Sequence, residues 1–200
     1  MPSRPQISRE QILRTALEML MEEGYESIRI TTVAERLGCS TQPIYLSFRN
    51  MDELKEALTE RAVELHTQRV RASLQAHEGN DTRYSSYGMG FVQFAAQEKQ
   101  LFRWLYLEGK QLESYQSDVL LSEIIATIQE EFGYDEATAR RFHEDMTYYS
   151  YGLAILANTG HLHLTEVELR EALRREFQAL TSLYGAPPRQ PEFTGKAGAV

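Results

Sequence analysis

This sequence of 200 residues has almost no cysteine and lacks long apolar runs. Cys39 is its single cysteine, which excludes an internal disulfide framework and favours a reducing compartment. No stretch of about 18 uninterrupted apolar residues occurs, so we expect no membrane-spanning helix. The first residues, MPSRPQISRE, have no apolar core of the kind that a secretory signal needs. These absences predict a cytoplasmic protein that does not contact a membrane.

The sequence also lacks the residue spacings that are typical of catalytic and metal sites. HExxH, GxSxG and CxxC do not occur, and the five histidines are scattered along the chain. His161 and His163 could bind a metal, but an exposed polar loop between two helices explains them better. Gly88-Met89-Gly90 indicates close helix packing better than a phosphate loop, because no strand precedes it and no lysine follows it. We therefore predict no enzyme activity, no catalytic residue, no metal site and no cofactor.

The net charge of −8 is distributed unevenly along the chain. Residues 1–50 carry six arginines and six acidic residues, so the whole acidic excess lies in residues 51–200. This charge distribution argues against a general nucleic-acid coating protein, because proteins of that class are strongly basic. A neutral N-terminal segment can still bind DNA if base contacts and shape supply a larger share of the affinity.

Apolar residues recur at helical spacing along most of the chain, and no segment alternates with a period of two for long enough to form a strand. Capping-box patterns predict three helix starts, at Ser8 with Gln11, Asn50 with Glu53, and Thr165 with Glu168. We expect an all-α protein of about nine helices. Its predicted divisions are an N-terminal domain over 1–50, a connecting helix over 51–76, a second domain over 81–185 and a disordered tail over 186–200.

Residues 29–51 carry the most informative pattern in the chain. A short helical segment ends at Gly38, and a second begins about three residues later. Gly38 can adopt the left-handed backbone that ends a helix, Ser40 can cap the next helix, and Pro43 suits its first turn. Two short helices joined by such a turn describe a helix-turn-helix, with reading helices over about 29–48. Two packed core helices are the alternative, but the second helix has few apolar residues and many polar ones.

These features together resemble the N-terminal domain of the TetR family of bacterial transcriptional repressors. The resemblance covers residues 8–58 and rests on four features: an amphipathic first helix ending in Glu-Glu-Gly-Tyr, Val33-Ala34 with Leu37-Gly38-Cys39-Ser40, Ile44-Tyr45 with Phe48, and Asn50 with Glu53-Leu54. Beyond residue 80, only length and helical pattern resemble the variable ligand-binding domain of the family. The resemblance implies a ligand-responsive repressor that binds a palindromic double-stranded operator as a homodimer and is released by a small-molecule inducer of unknown identity.

Base-reading side chains are expected at the start of the second short helix and in the helix before it. The predicted residues are Thr41, Gln42, Pro43 and Thr31. Gln42 can form two hydrogen bonds with an adenine, and the methyl and methylene groups of Thr41 and Pro43 can touch a thymine methyl.

The phosphate contacts are expected from polar residues that follow the base readers. The resemblance implies this role for Tyr45, Ser47 and Arg49, although the family often has a histidine where Ser47 stands. It also often has a lysine where Met51 stands. We expect Arg49 or Lys55 to supply the phosphate contact that this lysine would make.

Aromatic residues concentrate in the second domain. Three of the four residues 148–151 are tyrosines, and a buried tyrosine needs a partner for its hydroxyl. Such a cluster suits an apolar pocket with a few polar tips, which would favour an apolar, aromatic or cationic inducer over a polyanionic one. The predicted pocket residues are Phe91, Phe94, Trp104, Tyr106, Met146, Tyr148 and Tyr149.

The last two long helices are predicted over 135–158 and 165–184. The resemblance implies that they pack against the same helices of a second copy as a four-helix bundle. The predicted interface residues are Leu153, Leu156, Leu169, Leu173, Phe177 and Leu180.

Two other functions fit the same sequence. A helix-turn-helix regulator could be controlled by a protein partner without a small-molecule ligand, and a filled core in the second domain would favour this. Alternatively, a ligand-binding protein could retain a vestigial DNA-binding domain, for which the absence of the lysine at Met51 is the best support. Specific DNA binding that weakens with salt would exclude the second alternative.

Overall fold

The computed structural model describes residues 7–75, 82–108 and 118–185. Within these ranges the regular elements are nine α-helices, one 3-10 turn and one π-helical segment, and no strand is present. The all-α prediction is therefore confirmed. In the same ranges no helix combines the length and the apolar character that crossing a membrane requires. The predicted domain break at 77–81 and the predicted disorder of 186–200 concern residues outside the described ranges.

The N-terminal elements form around the predicted helix-turn-helix. In order they are α1 (Arg9–Glu23), the 3-10 turn (Tyr25–Ser27), α2 (Ile30–Arg36), α3 (Gln42–Ser47) and α4 (Met51–Gln75). The predicted capping box at the start of α1 is confirmed: the Ser8 hydroxyl accepts from the Gln11 backbone N–H, and the Gln11 side chain accepts from the Ser8 backbone N–H. This pair satisfies two of the N–H groups that the first turn of a helix leaves open.

The remaining elements are helical as well. They are α5 (Arg83–Gln97), α6 (Lys99–Phe102), the π-helical segment (Arg103–Glu108), α7 (Asp118–Phe132), α8 (Glu136–Asn158) and α9 (Glu166–Tyr184). Asp135 caps α8 by accepting from the backbone N–H of Thr138, and the predicted Thr165–Glu168 capping box opens α9. Short polar signals thus set where both of the last helices begin.

The chain divides into two compact units whose limits differ from the predicted domain limits. Among the described residues, the first unit contains 7–66 and 98–108, and the second contains 67–75, 82–97 and 118–185. The helix α4 therefore belongs in part to each unit, and segment 98–108 belongs with the N-terminal elements. The physical reason is packing: α6 contacts α1, and the Trp104 ring stacks on Tyr25. Sequence separation had suggested the second domain for this segment.

The first unit is built on a small apolar core. Ile12, Leu20, Ile44, Leu54 and Leu58 are fully buried. Each such side chain contributes about 1.5–3 kcal/mol relative to its exposed state. The core therefore fixes α1, α3 and α4 with respect to one another.

Aromatic rings dominate the core of the second unit. Phe132, Phe142 and Phe177 form a triangle with centroid separations of 5.0–6.3 Å. The backbone of α5 also lies close to α4, because a Cβ placed on Gly90 would clash with the Ser73 hydroxyl oxygen. Gly90 therefore allows α5 to approach this part of α4, which agrees with our interpretation of the Gly88-Met89-Gly90 segment.

Candidate nucleic-acid interface

The turn between α2 and α3 is closed by a Schellman motif. The Cys39 N–H donates to the Ala34 carbonyl and the Gly38 N–H donates to the Glu35 carbonyl, both at 3.0 Å. Gly38 has φ +65°, where a side chain would be strained even though the surrounding space is open. The left-handed glycine predicted here is confirmed, and it turns the chain from α2 into α3.

The start of α3 differs from the prediction in one detail. Thr41, not Ser40, is the N-cap residue, and it makes no side-chain capping hydrogen bond because its own backbone is already helical (φ −70°, ψ −16°). Pro43 lies in the first turn, as expected. The hydroxyl of Thr41 is thus not occupied by capping α3.

The outward face of α3 follows from the burial of Ile44, which is 0% exposed. At about 100° per residue, the direction opposite Ile44 falls midway between Gln42 and Leu46. Gln42 is exposed, Tyr45 is 56% exposed and Leu46 is 80% exposed. Sequence analysis missed Leu46, although an apolar residue on the polar face of a short helix was a visible signal. Its side chain projects from the centre of the face that carries Gln42.

The other predicted contact residues surround this face with different degrees of exposure. Thr31 is exposed, whereas Thr41, Pro43 and Ser47 are half-buried.

Arg49 is exposed but already has a partner. Its backbone N–H and its Nε each donate to the same Glu53 carboxylate oxygen at 2.9 Å. The backbone hydrogen bond from Arg49, followed by the side-chain bond, lowers the pKa of Glu53. The Asn50 side chain accepts from the Glu53 N–H, so only half of the predicted capping box forms. A phosphate would have to compete with Glu53 for Arg49.

Lys55 lies on a cleft of about 280 Å³ in the first unit. Its Nζ is 4.7 Å from the centroid of the Tyr25 ring, within cation–π distance. The residues that line the cleft are Tyr25, Glu26, Ile28, Arg29, Ile30, Met51 and Lys55. Met51, which stands where the family often has a lysine, therefore shares this cleft with two cations.

Two of the predicted ligand-binding residues lie in the first unit. The Trp104 ring stacks on Tyr25 with a centroid distance of 3.7 Å and an interplanar angle of 17°. The Tyr106 hydroxyl is 2.8 Å from His66 Nε2, and the Tyr106 ring stacks on Phe102 at 4.9 Å. Both side chains pack against residues of the first unit, so the predicted pocket is not gathered within one unit.

The other five predicted pocket residues belong to the second unit. Phe91, Phe94 and Met146 are buried, and Tyr149 is half-buried. Tyr148 is 66% exposed and donates its hydroxyl to Glu144 at 2.7 Å. It lies on the solvent side of α8 in the single chain, so its place in an enclosed pocket stays a prediction.

A buried polar pair in the second unit was not predicted. The Tyr84 hydroxyl is 3.0 Å from His143 Nδ1, and the Tyr87 ring lies 6.0 Å from the His143 ring. Burial lowers the pKa of His143 to about 4 and raises the pKa of Tyr87 to about 12. The cluster is therefore uncharged at neutral pH, and it can offer hydrogen bonds but no ionic contact.

Four of the six predicted interface residues are packed inside their own chain. Leu169, Leu173 and Leu180 are buried, and Phe177 packs against Phe132 and Phe142. The helical spacing of the apolar residues in α9 marked an apolar face correctly, but the core of the same chain covers it. Leu153 is half-buried and Leu156 is exposed.

A different set of apolar side chains reaches the surface of the last two helices. It consists of Tyr148 and Leu156 on α8 and Val167 and Leu183 on α9. Tyr148, Gly152 and Leu156 follow one another at four-residue spacing, and the space around Gly152 is open. This row forms a surface strip that a second helix can approach closely.

The two histidines considered as metal ligands follow α8 and are exposed. His161 Nδ1 lies 3.0 Å from the Thr159 hydroxyl oxygen. In the part of the chain that the structure describes, no group of three or more histidine, cysteine, aspartate or glutamate side chains could hold a metal ion.

The segment that contains the helix-turn-helix is similar in sequence to known proteins. Residues 12–58 match the sequence profile of the bacterial regulatory proteins of the tetR family. Over 54 residues the chain is 41% identical to the tetracycline repressor protein class C of Escherichia coli. That match covers 27% of this chain and only 25% of the repressor, so it spans about a quarter of that relative.

Solved structures extend the similarity to most of the chain. A TetR family protein from Vibrio parahaemolyticus has 18% identity and a TM-score of 0.61, over 86% of this chain and 97% of that one. A protein from Pseudomonas aeruginosa PAO1 described as a transcriptional regulator has 13% identity and a TM-score of 0.63, over 90% of this chain and 93% of that one. At such identities the shared property is the fold. The matched residues 12–58, which form the helix-turn-helix, are therefore similar to the N-terminal segment of TetR-family regulators, and the chain as a whole shares the fold of a solved protein of that family.

Proposed function

We propose that this protein is a non-enzymatic, ligand-responsive repressor that binds a palindromic operator as a homodimer and releases it when a small molecule binds. The observation that carries the proposal is the outward face of α3. Ile44 anchors the helix in the core, while Gln42, Tyr45 and Leu46 project from it. A short helix presented in this way fits a DNA major groove.

The base contacts in this proposal come from one side of α3. The Gln42 amide can both donate to and accept from an adenine, with Thr41, Pro43 and Thr31 flanking it. Leu46 offers an apolar surface to a thymine methyl group. Tyr45, Ser47 and Arg49 would contact phosphates, although Glu53 competes for Arg49.

The homodimer would place two copies of α3 at a fixed spacing. A single α3 makes few contacts, so operator affinity requires two half-sites related by the twofold axis of the protein. The exposed row Tyr148, Gly152 and Leu156 on α8, with Val167 and Leu183 on α9, replaces the buried leucines as the proposed interface. Burial of these side chains would contribute the apolar core that a stable interface needs.

The inducer would bind in the second unit. Phe91, Phe94, Met146 and Tyr149 are retained as pocket residues, and the uncharged His143 with Tyr84 supplies hydrogen bonds. Such a lining favours an apolar or aromatic molecule with one polar group and disfavours polyanions. The inducer must bind the DNA-incompetent conformation more tightly, by about 1.4 kcal/mol for each tenfold loss of operator affinity.

The proposal is tested by selecting DNA duplexes from a random pool with the purified protein. We expect enrichment of palindromic sites, two subunits per duplex in light scattering, and affinity that falls steeply with salt. Failure to retain any duplex would support the vestigial-domain alternative. Specific retention that no apolar or aromatic compound releases would instead favour control by a protein partner.

A further inference from the structure

The cleft of the first unit combines cations with apolar walls. Arg29, the N-cap residue of α2, is exposed, and Lys55, in the second turn of α4, is half-buried. Glu26 is the carboxylate among the lining residues, and Met51 contributes an apolar wall. Two cations that share one cleft suit a dianionic or monoanionic oxygen ligand such as a phosphodiester.

Lys55 is held in this cleft rather than extended into solvent. Its ammonium lies 4.7 Å from the Tyr25 ring centroid, where the negative face of the ring attracts a cation. A lysine that is already ordered loses less side-chain entropy when it meets an anion. The Tyr25 ring thus pre-organises the cation.

The opposite face of Tyr25 is occupied by Trp104. Because that ring stacks on Tyr25 at 3.7 Å, Lys55 is left with the other face, and the three groups form a sandwich. Trp104 comes from the π-helical segment Arg103–Glu108, and π-helical turns frequently mark functional sites.

The indole nitrogen of Trp104 adds a second observation. Trp104 is buried, and its Nε1–H has no hydrogen-bond partner within the described part of the chain. An unpartnered buried donor is unfavourable, so hydrogen bonding does not account for tryptophan at this position. The stacking of its ring against Tyr25 is the contact that accounts for tryptophan here.

We propose that Lys55 and Arg29 bind one DNA phosphate across this cleft, and that Tyr25 and Trp104 are positioning residues for Lys55. The inference rests on the proposed DNA-binding function. It explains how the chain tolerates Met51 in place of a lysine, because the cations of the same cleft supply the phosphate contact. It also assigns Trp104 to DNA binding instead of to the inducer pocket.

The first test measures the salt dependence of binding to duplexes that the wild-type protein enriches. Lys55→Gln or Arg29→Gln should reduce the slope of log K against log salt by about 0.9 for each bound subunit. The affinity deficit of each variant should therefore be about 3.5-fold larger per bound subunit, or about 12-fold larger for a dimer, at about 50 mM than at about 200 mM salt. Glu26→Gln should strengthen binding, because it removes a like charge from the cleft.

Arg61→Gln is the matched control for the loss of a cation. Arg61 lies on α4, as Lys55 does, but it pairs with Glu64 and Glu10 and does not line the cleft. We expect its salt slope to equal that of the wild type.

The second test asks whether Tyr25 and Trp104 affect DNA binding through the position of Lys55. Tyr25→Leu and Trp104→Leu should each weaken binding in the wild-type background and cost little more when Lys55→Gln is already present. Tyr25→Phe and Trp104→Phe keep an aromatic face and should retain most of the affinity. Thermal unfolding is followed in parallel, and the half-buried Tyr25 carries the test if Trp104→Leu does not fold.

The outcomes separate this inference from the proposed function. Wild-type protein that binds no duplex would refute DNA binding itself. Wild-type binding with an unchanged slope in Lys55→Gln would overturn the phosphate site alone. If Tyr25→Leu lowers duplex affinity equally in the wild type and in Lys55→Gln, the aromatic pair only stabilises the fold, and the positioning role would be wrong.

Discussion

The two units of the chain place their hydrogen-bonding side chains in opposite ways. In the first unit, the polar tips of α3 face solvent around a single buried anchor, Ile44. In the second unit, Tyr84, His143 and Asn158 are buried and bonded inside the core, with the Asn158 amide donating to the Ala95 carbonyl at 2.9 Å. Exposed polar groups can meet a charged, hydrated partner such as DNA, whereas buried neutral ones exclude charge and suit an uncharged ligand.

The largest expected effect concerns the exposed apolar side chains of α8 and α9. They belong neither to the exposed polar groups of α3 nor to the buried polar groups of the second unit. Leu156→Glu combined with Val167→Glu should give a folded monomer, because both side chains are exposed in the single chain. Operator affinity should fall at least about 10³-fold, towards the non-specific level, because one subunit cannot span two half-sites. Light scattering and DNA titration measure the two effects.

The control is a charge in the core of the same subunit. Leu173 is buried, so Leu173→Glu should lower the melting temperature instead of producing a stable monomer. If the exposed double variant stays dimeric, the subunits associate through another surface, and the proposed interface on α8 and α9 would be wrong.

The second prediction tests whether the second unit excludes charge. The pKa of His143 is about 4 in the folded chain, below the ordinary 6.5, because burial disfavours the imidazolium. Between these values the unfolded chain binds more protons, so stability is complete above pH 6.5 and falls as the pH drops towards 4. The loss should reach roughly 3 kcal/mol at pH 4.

His143→Gln isolates this effect, since glutamine can accept from Tyr84 but does not titrate. Denaturant unfolding at several pH values should show a smaller acid loss for the variant than for the wild type. Parallel stability curves for the two proteins would mean that His143 accepts a proton without unfolding, and that the second unit does admit charge.

Local signals made much of the first unit predictable. Gly38 and Pro43 specify backbone angles by their own chemistry, and the capping box at Ser8 involves residues three apart. These features require no knowledge of distant contacts. The turn, the start of α1 and the polar face of α3 could therefore be predicted, and Leu46 was overlooked although its position on the helix was available.

Distant packing made the rest unpredictable. Trp104 looked like a pocket residue because its neighbours in sequence are aromatic, but its ring partner is Tyr25, at the start of the chain. The helical spacing placed Leu173 on an apolar face of α9, but it did not indicate whether the same chain or a second copy covers that face. The pair of Tyr84 and His143 joins two helices far apart in sequence, so no local sequence pattern predicts this contact.

The third prediction tests the exposed polar tips of the first unit. Gln42→Ala should cost roughly 1–3 kcal/mol in operator binding and relax the preference at one base position per half-site. Tyr45→Phe should instead weaken binding to all sequences alike, because a phosphate contact carries no sequence information. Repeating the duplex selection with each variant measures this, and unchanged selected sites for Gln42→Ala would show that other residues read the bases.

The smallest expected effect concerns the apolar member of the same face, Leu46. If its side chain touches a thymine methyl, replacing that thymine by deoxyuridine removes the methyl and about 0.8 kcal/mol, which is about fourfold in affinity. Scanning each thymine of one half-site should reveal one sensitive position in the wild type and none in Leu46→Ala. Tyr45→Phe, the control, should keep that position sensitive. A methyl effect that persists in Leu46→Ala would place the contact on another side chain, such as Thr41 or Pro43, and would leave the exposure of Leu46 without a role in reading DNA.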